Sequence, residues 1–321
     1  MWEHSVSSPT THLRLTALAS YPKVALMRRI VFTADDFGMS HSINEAVLRA
    51  HHDGVLTHTS LMVTGDAAKE AVQLARENPS LLVGLHLTLV KARAVLPPSE
   101  IPDLADAAGN FSNDPARAGM RYFFRRGARE QIRRELRAQF EKFRETGLSP
   151  SHVDGHCHLH LHPTVWPIAV ELAKEFEFKR IRLPREPLRR ALHADGVRRH
   201  KKIGFGVIFS ALSVSAHKHL RRVENGAFLK GTGLRVAERV FGVMHTGAMN
   251  EKRLCTLLEQ LRHRHGSGVY EIYLHPDTKP WHENPNGPTE LAALLSVRVK
   301  EMLDDKSFHL LRGREAQEVV P

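Results

Sequence analysis

Cysteine is nearly absent from this 321-residue chain: Cys157 and Cys255 are its only two. That is too few for a disulfide framework, so a reducing cytoplasm is the expected setting. No stretch approaches the ~18 consecutive apolar residues of a membrane-spanning helix. The first 26 residues hold only the short apolar piece from Leu15 to Ala19, against the ~7–15 that a secretory signal needs. No G-x-G-x-x-G or P-loop sequence follows any candidate strand, so nucleotide binding lacks its main support. No RNP-like aromatic motif, zinc finger or helix-turn-helix pattern is evident either. Histidine and positive charge, in contrast, are abundant, with 22 His and a formal net charge of +11. A 42% hydrophobic and 25% charged composition describes an ordinary folded chain and excludes a disordered, collagen-like or coiled-coil one.

The positive charge is concentrated. From Lys179 to Arg222 there are thirteen Lys/Arg against Glu186 and Asp195, and from Arg117 to Arg144 ten against Glu130, Glu135 and Glu141. The second run reads largely as a solvated helix face. Within the first, Ile203–Ala216 has no charged residue and is flanked by Arg198, Arg199, Lys201 and Lys202 before it and Lys218, Arg221 and Arg222 after it. At that length it is a buried helix or an interfacial one, and the flanking charges favour a basic, apolar lid over 198–222 that touches an anionic membrane. Residues 1–26 read as a dispensable, disordered extension, with one domain over 27–321.

Strand and helix signals alternate. Arg29–Ala34 is strand-like, and Ser42 with Glu45 forms a capping-box pair before the stripe Ile43, Ala46, Val47 and Ala50. Val55–Val63 and Leu81–Leu89 are further strands, with a helix capped by Asp66 between them. A long irregular stretch then leads to a helix marked by Ile132, Leu136, Phe140 and Phe143. Ser151–His156, Lys179–Leu183, Val269–Leu274 and Phe308–Leu311 complete the strands, with helices at Val165–Phe178 and Leu291–Leu303. This βαβα rhythm predicts a single α/β domain built as a TIM-barrel-like (β/α) barrel, irregular or incomplete.

Four polar clusters fall at the carboxyl ends of four strands: Asp35–Asp36, His86, Asp154–His156 and His275. In a parallel barrel those ends converge on one face, where active sites form. One carboxylate and two imidazoles suit a catalytic divalent metal. Adjacent carboxylates allow one to bind the metal while the other takes up a proton from water. Asp154, His156, His158, His160 and His162 occupy alternate positions, and all five would face one side if the segment stayed extended. They cannot all ligate one ion. Two other readings compete: an iron(II) oxygenase with the same ligand types, and a basic, non-catalytic protein that binds membrane or nucleic acid. The strand-end carboxylates favour the hydrolytic metal site over both.

TADDFG at 33–38, GLHL at 84–87, HVDGHCHLHLHP at 152–163 and YLHPD at 273–277 resemble the YdjC-like carbohydrate deacetylase family, which includes chitooligosaccharide deacetylases. The resemblance implies a barrel-like fold and metal-dependent removal of N-acetyl groups. It makes Asp36, His86 and His156 the metal ligands and Asp35 the base. It also implies His275 as general acid and Arg182 as the arginine that orients the base, and it leaves His158 and His160 unassigned. Zinc or magnesium, with cobalt or nickel as alternatives, is the expected ion. LPPSEIPDLADAAGNF (96–111), DPARAGMRYFF (114–124) and IRLPREP (181–187) are similar to the branch associated with hopanoid lipid biosynthesis. That likeness implies an N-acetylated glycolipid as substrate rather than a soluble oligosaccharide. No nucleic-acid partner is expected, a homodimer is open, and the implied location is cytoplasmic and peripheral at the inner membrane.

Overall fold

The computed structural model describes residues 27–184, 229–263, 268–313 and 315. The expected extension 1–26 and the expected lid over 198–222 lie outside the described residues. Eight parallel strands form one sheet: β1 (Arg28–Phe37), β2 (His58–Leu61), β3 (Leu82–Leu87), β4 (His152–Gly155), β5 (Arg180–Ile181), β6 (Arg239–Phe241), β7 (Val269–Leu274) and β8 (Phe308–Leu310). The path runs β5-β4-β3-β2-β1-β7-β6, with β8 against β1. One edge of β1 takes β7 along Arg29–Ala34. The other edge is shared, with β8 pairing Arg28–Ile30 and β2 pairing Thr33 to Phe37. The path's ends meet through one segment: Arg235 bridges Arg180 of β5, and β6, four residues later, pairs with β7. The result is an irregular α/β barrel, closed by a single bridge where a full strand pair would stand.

The helices are α1 (His41–His52), α2 (Ala68–Glu77), α3 (Pro115–Phe124), α4 (Ala128–Glu145), α5 (Trp166–Glu175), α6 (Glu251–Arg262), α7 (Gly287–Leu295) and α8 (Val297–Leu303). Their apolar faces cover the outer side of the sheet. Ile30, Phe32 and Ala34 of β1 are fully buried in one core with Ile43, Ala46 and Val47 of α1. Alternation turns Val31, Thr33 and Asp35 to the barrel interior. The interior has an apolar base, where Val31, Leu82, Val269 and Leu311 cluster. None of the described helices is long and apolar enough to cross a membrane.

Local details differ from the expectations for physical reasons. Ser40, not Ser42, caps α1 by accepting from the Ile43 amide. Asp66 caps nothing, since α2 starts after Ala67 without a side-chain cap. The Leu291–Leu303 helix is two helices, broken at Ser296, whose ψ of 127° is extended and whose side chain caps α8. Within the stretch read as irregular, Asp114 accepts from two amides and starts α3, with Pro115 in the first turn.

Candidate active site

The two adjacent aspartates reach one site because β1 is irregular there. In a regular strand Asp35 and Asp36 point to opposite faces. Here Ala34 pairs with Thr59 while Phe37 pairs with Leu61, so β1 carries one extra residue across that step. Asp36 also adopts a left-handed φ of 67°. This bulge turns Asp36 toward the mouth of the barrel while Asp35 keeps its inward direction, a common use of bulges beside functional sites.

Asp36 meets two histidines. Its Oδ1 lies 2.8 Å from Nδ1 of His156 and 3.2 Å from Nε2 of His86. His86, at the end of β3, donates through Nδ1 to Asp154 Oδ1 at 2.8 Å, which fixes the ring and aims Nε2 at the site. Burial would raise the Asp36 pKa, but His156 and His86 outweigh it and hold the carboxyl well below its usual range. Burial likewise opposes charge on His86, yet Asp154 and Asp36 lift it to about 10. His156 rises well above its ordinary value as Asp36 overcomes burial. Its Nε2 is buried and has no hydrogen-bond partner.

Arg182 organises the carboxylates beneath. Fully enclosed, it grips Asp35 with two bonds of 2.6 and 2.8 Å, reaches Asp154 Oδ2 at 2.8 Å, and donates from Nε to Glu271 at 2.9 Å. Burial disfavours its charge, but Asp154, Asp35 and Glu271 together hold its pKa well above the usual value. The Asp35 pKa is raised, first by burial and then by Asp154, against the pull of Arg182. A hydrogen-bond chain continues downward from Asp154. Arg180 donates to Ser151, whose hydroxyl meets His152 Nδ1; His152 Nε2 meets Ser60, which donates to Asp154 at 2.6 Å. Gly84 makes this possible: a Cβ there would sit 2.5 Å from the His152 ring.

The His-rich segment after β4 does not stay extended. The strand ends at Gly155, and His156–Leu161 forms a 3-10 turn in which Cys157 and His158 have positive φ. The alternate spacing therefore does not put the five residues on one face. His160 donates to the Arg182 carbonyl at 3.0 Å, and burial holds its pKa at about 4. His158 meets the Tyr273 hydroxyl at 2.9 Å. Both line the wall of the site. His275 directly follows β7, half-buried, with its ring centroid 5.7 Å from that of Tyr273. Its backbone is fixed by Glu290 and Asn284.

The sequence matches the description YdjC-like protein over residues 29–305. The chain belongs to the YdjC-like family. It is 40% identical over 164 residues to a carbohydrate deacetylase of Geobacillus stearothermophilus, 51% of this chain and 61% of that protein. A carbohydrate deacetylase of Brevibacillus brevis is 39% identical over 148 residues, 46% of this chain and 56% of that protein. The matches span about six tenths of these curated relatives. A solved structure from Enterococcus faecalis V583, of a candidate cellobiose-phosphate cleavage protein, superposes with a TM-score of 0.68 at 22% identity. It covers 89% of this chain and 97% of that one, and shows the fold alone.

Within this YdjC-like barrel the catalytic and metal candidates read from sequence divide into two groups. Asp35, Asp36, His86, His156 and Arg182 form one connected cluster, whereas His275 stands at its rim beside Tyr273. Glu271, Ser60, His152 and Arg180 were not singled out. Glu271 had a signal: it is a lone charge inside the otherwise apolar strand VYEIYL, where an unpaired carboxylate is costly.

Proposed function

We propose that this YdjC-like protein hydrolyses the acetamide of an N-acetylated sugar with the help of a divalent metal ion. The supporting observation is the buried set Asp36, His86 and His156, whose ligand atoms lie within 4.8 Å of one another, next to a second carboxylate locked by Arg182. The set fits a metal. Ligands bonded at ~2.0–2.1 Å to one tetrahedral ion lie about 3.3 Å apart, close to the observed 2.8 and 3.2 Å. One carboxylate and two imidazoles suit zinc, with magnesium, cobalt or nickel as alternatives. Such an ion polarises the amide carbonyl and the attacking water when bound.

The chain's own groups supply the proton transfers. Asp35, whose enclosed carboxyl has a raised pKa, accepts the proton of the water. Arg182 holds both of its oxygens so that it stays aimed at the site. His275 at the rim delivers a proton to the departing nitrogen, which leaves as an amine with acetate as the other product. The substrate is an N-acetylglucosaminyl hopanoid reached from the cytoplasmic side of the inner membrane. Likeness over 96–111 and 114–124 supports that choice over a soluble chitooligosaccharide, because the latter stretch is α3, which packs beside the mouth.

Acetate release from N-acetylglucosaminyl hopanoid and from diacetylchitobiose tests the reading. Turnover of the glycolipid is expected. His86→Ala and His156→Ala should each lose metal and turnover, and Asp35→Asn should keep metal while slowing about 10²–10⁴-fold. Release from diacetylchitobiose alone would move the substrate to soluble sugars. No release from either by the metal-loaded protein would end the deacetylase reading. Metal loss in Asp35→Asn but not in Asp36→Asn would reverse the two carboxylates' roles.

A further inference from the structure

Helix α3 presents an apolar face to solvent. Met120, Phe123 and Phe124 are 61%, 60% and 73% exposed. They stand at i, i+3 and i+4, so they share one side of the helix. They are three of the five exposed large hydrophobic residues among those described. The opposite side anchors the helix: Ala118 and Tyr122 are buried, and the Tyr122 hydroxyl donates to the Leu89 carbonyl at 2.5 Å. Thr164 bonds the Tyr122 carbonyl, and Phe123 lies against His162. Leu89 follows β3, which carries His86, and His162 follows the turn begun by His156, so α3 is fastened just beyond two site histidines.

The charge around this face is mainly positive, with one acidic neighbour, Asp103, 3.6 Å from Arg125. Between Pro115 and Arg129 there are five arginines, Arg117, Arg121, Arg125, Arg126 and Arg129, and no acidic residue. Four of them are exposed and Arg121 is half-buried. Helix α4 beside it differs: Arg133 and Arg137 make two-pronged pairs with Glu171 and Glu175 of α5. The basic run read from sequence therefore splits into a neutralised helix face and a patch that mixes arginines with protruding rings.

We infer that this face of α3 docks the protein onto an anionic lipid bilayer, setting the barrel mouth against the membrane; this deepens the glycolipid reading and rests on it for what the membrane presents. Arginines meet headgroup phosphates while Met120, Phe123 and Phe124 enter the acyl boundary, the arrangement that suits an interfacial helix. A nucleic acid would engage the arginines but leave the apolar side chains without an apolar medium.

The test is sedimentation of the full chain with phosphatidylcholine vesicles with and without phosphatidylglycerol, across a salt series, alongside turnover of diacetylchitobiose. Wild-type protein should bind the anionic vesicles and release them as salt rises. The triple variant Met120→Ser, Phe123→Ser, Phe124→Ser should bind about tenfold or more weakly with an unchanged melting temperature and unchanged turnover of the soluble sugar. Should that variant unfold, Arg117→Gln, Arg125→Gln, Arg126→Gln must show the same loss. Wild-type protein that ignores anionic vesicles overturns the proposal, and so do variants that bind as well as wild type. A dimer in light scattering that the serine variant splits, without vesicle binding, assigns the face to a second copy and also overturns it. Docking without turnover of any acetylated sugar would instead end the deacetylase reading and leave this one standing.

Discussion

The two faces of the barrel sheet are held by different physics. On the outer face, Ile30, Phe32 and Ala34 lose all exposure against helices, and the hydrophobic effect that buries them is non-directional and tolerant of repacking. On the inner face, above a small apolar base, Thr33, Asp35, Ser60, His86, His152, Asp154, Arg182 and Glu271 are buried as well. There each group depends on a named partner, because an unpaired charge in such surroundings costs several kcal/mol. The outer face therefore supplies stability, and the inner face spends part of it on a fixed arrangement of charges.

Arg182→Met should break this contrast most strongly. It strands Asp35, Asp154 and Glu271 without their shared cation, and the expected loss is about 3–5 kcal/mol in urea unfolding, together with turnover. Phe32→Ala should cost a similar ~3–5 kcal/mol through cavity formation, but with metal content and turnover intact at a temperature where it stays folded. Equal damage to turnover from both substitutions would show that the two faces are not separable. Gly84→Ala is expected to cost about 3 kcal/mol, because its methyl group would sit 2.5 Å from both the ring and the backbone carbonyl of His152, so β4 must shift as well. Loss of the chain through Ser60 to Asp154 should follow, seen as altered His152 signals in NMR.

A separate effect is one of pH. Burial holds His152 and His160 at about 4, and pushes His58 well down as well. Their folded pKa values lie below the unfolded value, so between about pH 6.5 and 4 the unfolded chain takes up protons that the folded one refuses. Stability should fall with pH across that window by about 1.4 kcal/mol per unit for each histidine. Denaturant titrations at successive pH values measure this, and a flat response would mean that these rings carry protons in the fold.

Much of the outer face was legible in the sequence, since runs such as Val269–Leu274 declare a buried strand by composition. The convergence of Asp35, Asp36, His86 and His156 followed from their places at strand ends. What could not be read was set by distant partners. The bulge that aims Asp36 depends on registry with β2, and the collapse of the His-rich segment into a 3-10 turn depends on positive φ at Cys157 and His158. Helix α3 had a local signal in Asp114–Pro115, obscured by the prolines and glycine of the stretch before it. Strand β6 and helix α6 were not anticipated at all, and three residues of β6 carry too little pattern to stand out.

The extra residue in β1 makes the spacing of this strand, and not just its composition, part of the chemistry. Removing a single residue between Ala34 and Phe37 would restore an even ladder with β2 and leave one aspartate where two now converge. If the proposed hydrolysis holds, such a shortened chain would be inert. Among related sequences, a one-residue gap at this point is thus a sharper mark of lost activity than many substitutions elsewhere in the barrel.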